Sequence, residues 1–258
     1  MYNSVFSNIP MDKRGRKPRE SGLTVIIDRG LGVQAEKDFL DLEADYIDLA
    51  KFYVGTPALI APHIVRAKID LYHKYDVSAF PGGMFLEYAI SKGKEREYLL
   101  DVIKAGFAWV EVSDNNIDIS SDRKCSLIKV ASQEYGLRVL GETGSKKKSS
   151  DVNKLIRDVK DCLKCGAWKV MFEAAELFEN GRFKREVAEA ISHELDIAKV
   201  IFELPGPWIP KIVSSDIYSL QAWLVGNVGP EVNIANVEAY EVLGLEAERT
   251  NLGTRMKV

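Results

Sequence analysis

Histidine and cysteine are scarce in this chain of 258 residues, which holds three of each. His63, His73 and His193 are scattered through helical or loop segments, so no histidine site is visible. Cys125, Cys162 and Cys165 are too few, and odd in number, for a disulfide framework. Cys162 and Cys165 do form a Cys-x-x-Cys pair. It lies in the amphipathic stretch Val152 to Gly166, with no second pair or histidine beside it, and reads as structural rather than as a zinc or redox site. Long apolar runs are also missing: no stretch of 18 apolar residues could cross a bilayer, and the N-terminus lacks the apolar core of a signal peptide. A cytoplasmic protein is expected. Neither sign of charge dominates. The 35 basic and 38 acidic side chains leave a net charge of −3, which predicts no general affinity for nucleic acid or anionic membranes.

What is present is a repeating alternation. Residues 1–16 are polar and basic and read as a flexible arm, and residues 17–258 as one domain. From Leu23 onward, short apolar runs appear at Leu23–Asp28, Tyr46–Phe52, Val77–Pro81, Trp109–Ser113, Arg138–Glu142, Trp168–Glu173, Lys199–Leu204 and Val232–Asn236. Their richness in Val, Ile, Phe and Trp suits strands buried on both faces. Between them, Ala35–Glu43, Ala58–Tyr75, Met84–Ala105, Ser121–Tyr135, Ser150–Cys165, Arg185–His193, Ile212–Trp223 and Ala239–Arg249 carry helical periodicity. Eight strands alternating with eight helices is the count of a (β/α)8 TIM barrel in a single α/β domain. A doubly wound open sheet is the runner-up, but Asp28-Arg-Gly-Leu-Gly32 does not match its glycine-rich phosphate loop.

The strand ends carry chemistry. Asp28, Lys51, Glu111, Glu142, Glu173, Glu203 and Asn236 each stand at or near the end of an apolar run, where a barrel would gather them at one mouth. Asp114 joins the acids as a further candidate. Oxygen ligands without histidine or cysteine suit a hard cation such as Mg²⁺ rather than zinc. In Leu140-Gly-Glu-Thr-Gly-Ser-Lys146 a strand ends in a carboxylate, a glycine turn and a lysine, the layout of a metal ligand beside a proton-transfer group. Lys146 is expected to have a lowered pKa next to the cation, while Lys147 and Lys148 read as solvated. Lys51 either serves a small anionic substrate or forms a structural pair with Asp48 or Asp28. Gly82 and Gly83 could let backbone amides approach a phosphate or carboxylate. Trp208 and Trp223 leave room for a homo-oligomer interface, although isolated tryptophans more often pack in cores or loops.

In order and spacing these pieces resemble the phosphosulfolactate synthase family from about residue 17 to about 250. The resemblance rests on Lys17-Pro-Arg19, Gly22-Leu-Thr-Val-Ile-Ile-Asp28, Asp45-Tyr-Ile-Asp-Leu-Ala-Lys51-Phe52, Gly55-Thr56, Pro81-Gly-Gly83 with Phe85 and Glu87, Val110-Glu-Val-Ser-Asp114, Glu142-Thr-Gly-Ser-Lys146, Ile201-Phe-Glu203 and Val232-Asn-Ile-Ala-Asn236. It implies a Mg²⁺-dependent barrel lyase of coenzyme M biosynthesis that adds sulfite to phosphoenolpyruvate. Lys146 would transfer the proton with Lys51 in the catalytic set. Glu111, Glu142 and Glu173 would hold the metal, and Arg19, Gly82, Gly83, Asn236 and Arg249 would bind substrate. The chain departs from the family pattern in places. Where the family reads Glu-Ala-Arg-Glu-Ser-Gly, this chain reads Glu173-Ala-Ala-Glu-Leu-Phe178, so Ala175 replaces an arginine and Leu177-Phe178 is expected to narrow an anion pocket. A later arginine position is Gly253, and Tyr53-Val54 replaces an aromatic-glycine stretch. Loss of one desolvated arginine should cost roughly 2–5 kcal/mol of anion binding. Lys147, Lys148, Arg182 and Arg255 are the candidates to compensate.

Overall fold

The computed structural model describes residues 5–146 and 150–254. Eight strands form one parallel sheet: β1 (Thr24–Asp28), β2 (Leu49–Phe52), β3 (Ser78–Pro81), β4 (Trp109–Val112), β5 (Arg138–Thr143), β6 (Lys169–Phe172), β7 (Val200–Glu203) and β8 (Asn233–Val237). The hydrogen-bonded order runs β3-β2-β1-β8-β7-β6-β5-β4, and β3 lies against β4 without ladder bonds, so the barrel is nearly closed. Nine helices flank it among the described residues: α1 (Val33–Glu43), α2 (Pro62–Lys74), α3 (Gly83–Ser91), α4 (Glu95–Ala105), α5 (Ser121–Lys129), α6 (Val152–Lys164), α7 (Arg185–Glu194), α8 (Ser214–Trp223) and α9 (Val242–Arg249).

Period-two alternation along each strand separates two cores. Leu49, Trp109, Leu140, Met171 and Ile201 pack together inside the barrel with Val25 and Phe80. The residues one step to either side, such as Ala50, Val110, Val139, Val170 and Phe202, pack outward against helix residues including Leu40, Ile69, Leu127 and Val159. Two residues beyond these inner apolar residues, Lys51, Glu111, Glu142, Glu173 and Glu203 return to the inner face. A polar layer thus lies above the apolar one.

The expected helix over 84–105 is two helices. The turn Lys92-Gly93-Lys94 breaks it, with Gly93 at φ 64°, a left-handed conformation that glycine adopts without a Cβ clash. A two-stranded hairpin, Phe178–Glu179 with Arg182–Phe183, was not legible in the sequence because strands of two residues carry no period. Arg182 is exposed there. Cys125 and Cys165 form a disulfide, contrary to the expectation from cysteine number. Packing of α5 beside α6 brings residues 40 positions apart to a Cα separation of 5.4 Å, within disulfide reach. Cys162 is free and buried in the core, so the Cys-x-x-Cys pair is not a unit. Arg14, within the segment read as an arm, pairs with Glu246. Trp223 packs edge-on against Phe183, and Trp208 lines the cavity at the barrel mouth. No helix among the described residues is long and apolar enough to cross a membrane.

Candidate active site

A cavity of about 280 Å³ opens at the C-terminal ends of the strands. Ile27, Lys51, Glu111, Glu142, Glu203 and Asn236 line it from the strands, Gly82, Gly83 and Met84 from the start of α3, and Tyr53, Val54, Asn116, Lys146 and Trp208 from the loops. Lys51 Nζ donates to Glu111 Oε1 at 3.0 Å and to Glu203 Oε1 at 2.9 Å, so its partners are neither Asp48 nor Asp28. One oxygen each from Glu111, Glu142 and Glu203 lie within 4.8 Å of one another. Glu203, rather than Glu173, completes this group of three carboxylates. Glu173 stands beside this cluster, accepting from Asn115 Nδ2 at 3.0 Å and from its own Ala175 amide at 3.0 Å, with Lys146 Nζ 3.4 Å away.

Glycines admit this cluster. A Cβ on Gly83 would sit 2.4 Å from Ser113 Oγ and 3.1 Å from Glu111 Oε1, so only glycine lets α3 begin beside the carboxylates. Gly144 has φ 116°, and a Cβ there would lie 2.7 Å from that of Glu173. The bend after β5 that carries Lys146 to the mouth thus requires a residue without a side chain. Buried Glu176 accepts from the Ser145 amide at 2.9 Å and from the Ser150 amide at 2.9 Å, anchoring the loop on both sides of residues 147–149. Lys147 and Lys148, and likewise Arg255, lie outside the described residues.

Two positioning residues carry no catalytic signature in sequence. Asn115 bridges the acids, donating from Nδ2 to Glu142 Oε1 at 2.7 Å as well as to Glu173. Glu87 on α3 accepts from the amides of Asn115 (3.0 Å) and Asn116 (2.9 Å) and from the Ser113 hydroxyl, fixing the loop after β4. Asp114, expected among the converging acids, instead pairs with Lys124 at 2.7 Å. Asp28 also turns away. Ile27 takes the inner face of β1, so Asp28 faces the helices, where it meets Lys68 Nζ at 2.8 Å and the Tyr72 hydroxyl at 3.1 Å.

The charges are strongly coupled. Burial pushes Glu111 well above the usual carboxylate range, with Lys51 opposing and Glu142 reinforcing the rise. Burial works to raise Glu142 too, but Lys51, a hydrogen bond with Glu111, Lys146 and Asn115 outweigh it and hold Glu142 at about 2. Burial, then Glu203, raise Glu173 to about 8 against the pull of Lys146. Glu203 is likewise raised by burial, with Lys51 opposing. Lys146 departs from expectation: burial lowers it, but Glu173, Glu142 and Glu203 together shift it upward, so it is held as an ammonium.

Two of the expected substrate residues lie elsewhere. Arg19 pairs with Asp48 at 2.9 Å and donates to the Asp45 carbonyl, ahead of β2. Arg249 is buried and donates to the carbonyls of Pro230, Val232 and Leu23, ahead of β8 and β1. Both close the N-terminal face, across the barrel from the cavity. Leu177 and Phe178 do not narrow the cavity, because they are buried in the outer core beside α7 and α8.

The family model for (2R)-phospho-3-sulfolactate synthase matches residues 12–254. The chain belongs to the phosphosulfolactate synthase family. It is 36% identical over 244 residues to the phosphosulfolactate synthase of Methanocaldococcus jannaschii, covering 90% of this chain and 92% of that one. Against the phosphosulfolactate synthase of Methanothermobacter thermautotrophicus it is 31% identical over 250 residues, covering 93% and 92%. As a member of this family the chain is an enzyme of the lyase type. A 3-hexulose-6-phosphate synthase structure shares the barrel, with a TM-score of 0.53 at 18% identity, covering 88% of this chain and 97% of the other. That likeness concerns the fold alone. Glu111, Glu142, Lys146 and Glu203 all line the one cavity.

Proposed function

We propose that this chain adds sulfite to phosphoenolpyruvate, with Mg²⁺, to give phosphosulfolactate. The observation that carries this reading is the position of Lys146 at the rim of a cavity lined by Glu111, Glu142 and Glu203. The residues suit a hard divalent cation. The donor set is all carboxylate oxygen, and Asn236 Oδ1 is buried and accepts no hydrogen bond among the described residues. Glu111, Glu142, Glu173 and Glu203 set against Lys51 and Lys146 would leave two uncompensated negative charges if all were ionised, which a divalent ion cancels. Glu111, Glu142 and Glu203 would hold Mg²⁺, which when bound would neutralise the substrate carboxylate and the charge that builds there during addition.

In the reaction the sulfur of sulfite bonds to the β-carbon of phosphoenolpyruvate and the double-bond electrons move toward the carboxylate. A proton must then reach the α-carbon. Lys146 is the donor, because its carboxylate neighbours keep it protonated and it stands at the rim, where solvent can restore the proton. Lys51 positions Glu111 and Glu203. The start of α3, with Gly82 and Gly83, offers amides to an acidic group of the substrate. Product formation from phosphoenolpyruvate, sulfite and Mg²⁺ tests the reading. Lys146→Ala should lower turnover about 100- to 10,000-fold, the range for loss of a general acid, with the fold intact. Undiminished turnover in that variant refutes the role.

A second reading has one observation in its favour: no arginine lines the cavity among the described residues. It keeps the barrel and Lys146 but assigns a less anionic substrate. A folded, Mg²⁺-binding wild type that is inert toward phosphoenolpyruvate and sulfite would establish it.

A further inference from the structure

We propose that Arg29, with the indole N–H of Trp208, forms a phosphate-binding clamp at the rim of the cavity; the clamp deepens the phosphoenolpyruvate reading and rests on it. Tyr53 and Trp208 line the cavity, with ring centroids 6.1 Å apart. The guanidinium of Arg29 lies over both, 4.7 Å from the Tyr53 ring and 5.4 Å from that of Trp208. A planar cation stacked on two rings is held in place while its edge keeps its hydrogen-bonding capacity. The loop behind Arg29 is also fixed: Asp28 Oδ1 accepts from the Gly30 amide at 2.8 Å, and buried Lys68 donates to the Leu31 carbonyl at 2.6 Å.

Arg29 differs from the other cations at the mouth in what it is paired with. Lys51 is shared by Glu111 and Glu203, Lys146 faces fully buried Glu173, and Lys124 holds Asp114 and the Glu142 carbonyl. The partner of Arg29 is Glu238, whose Oε1 accepts from both Nε and Nη2 at 2.8 Å, and the two side chains are 33% and 28% exposed. A pair so open to water is weak, and a dianion that approaches both the guanidinium and a second donor can displace it. Trp208 supplies that second donor. Its Nε1 is buried and has no hydrogen-bond partner among the described residues, a cost that a ligand oxygen would remove. Gly206 seats the indole, since a Cβ there would fall 2.1 Å from the Trp208 ring. The clamp thus places a cation where the cavity lining itself has no arginine.

The test is calorimetric titration of phosphoenolpyruvate, pyruvate and inorganic phosphate into wild type, Arg29→Ala and Trp208→Phe, all with Mg²⁺. Arg29→Ala should weaken phosphoenolpyruvate about 10- to 100-fold, as loss of a charge-assisted contact implies, and leave pyruvate within about twofold. Trp208→Phe keeps a ring but removes the N–H, and should weaken phosphoenolpyruvate about 5- to 10-fold. Unchanged phosphoenolpyruvate affinity in Arg29→Ala overturns the clamp, as does an equal loss for pyruvate. If wild type does not turn over phosphoenolpyruvate, the reaction reading fails separately. The clamp then stands on inorganic phosphate: a loss in Arg29→Ala supports it, and no binding or equal binding overturns it.

Discussion

Replacing Lys51 by methionine removes the ammonium that separates the carboxylates at the base of the cavity. Lys51 makes two buried contacts, at 3.0 Å to Glu111 and 2.9 Å to Glu203, and no other lysine or arginine forms an ion pair with these two groups among the described residues. Deleting one member of a buried ion pair costs about 3–5 kcal/mol, because the remaining charge is left in a poorly solvated site. The penalty must depend on pH. Glu111 and Glu203 are already raised by burial, and without Lys51 both rise further. A carboxyl raised above its unfolded value contributes stability that is complete below the unfolded pKa and is lost as pH rises through the folded one. The variant should therefore be close to wild type near pH 4.5 and most impaired near pH 8. Mg²⁺ should restore part of the loss, since it would replace the missing positive charge. Urea unfolding at these two pH values, with and without Mg²⁺, measures all three effects. A deficit that is the same at both pH values and insensitive to Mg²⁺ would refute this account of the cluster.

One further substitution and two treatments of the cysteines probe groups outside the site. Glu43 is buried at the end of α1 with Oε2 unpartnered among the described residues, and burial raises it to about 7. Its contribution is present below the ordinary carboxylate pKa and is lost as pH rises through 7, so Glu43→Gln should stabilise the fold by about 1 kcal/mol at pH 8 and by little at pH 5, read from thermal midpoints. Closing a 40-residue separation with the Cys125–Cys165 disulfide should stabilise the chain by up to about 4 kcal/mol, so reduction should lower the urea midpoint. Alkylation of the denatured, unreduced protein should label Cys162 alone, and labelling of all three cysteines would refute the pairing.

Much of the site follows from strand periodicity. Lys51, Glu111, Glu142, Glu173 and Glu203 each stand two residues beyond an apolar inner-face residue, and a period of two puts both on one side of the sheet. The same parity turns Asp28 away, because Ile27 holds the inner position. Chain direction likewise carries the placement of Arg19 and Arg249: parallel strands all point the same way, so residues ahead of a strand or at the end of a returning helix lie at the N-terminal face. Leu177 and Phe178 fill the outer core rather than the cavity, because bulk in a sequence does not say which side of a layer it fills.

The sequence by itself determined the alternation, the parallel barrel, the family and the set of residues delivered to the mouth. These depend on local periodicity and on patterns of side chains that neighbouring residues enforce. Only the tertiary structure decided which acids share an ammonium, that Glu203 rather than Glu173 joins Glu111 and Glu142, and that Lys146 is held protonated. It also decided that Cys125 meets Cys165, that Asn115 bridges two strands, and that Arg29 lies over Trp208. These pairings join segments far apart in the chain. Electrostatic and hydrogen-bond energies change steeply over a few ångströms, and those distances are set by how the barrel closes and how its loops pack.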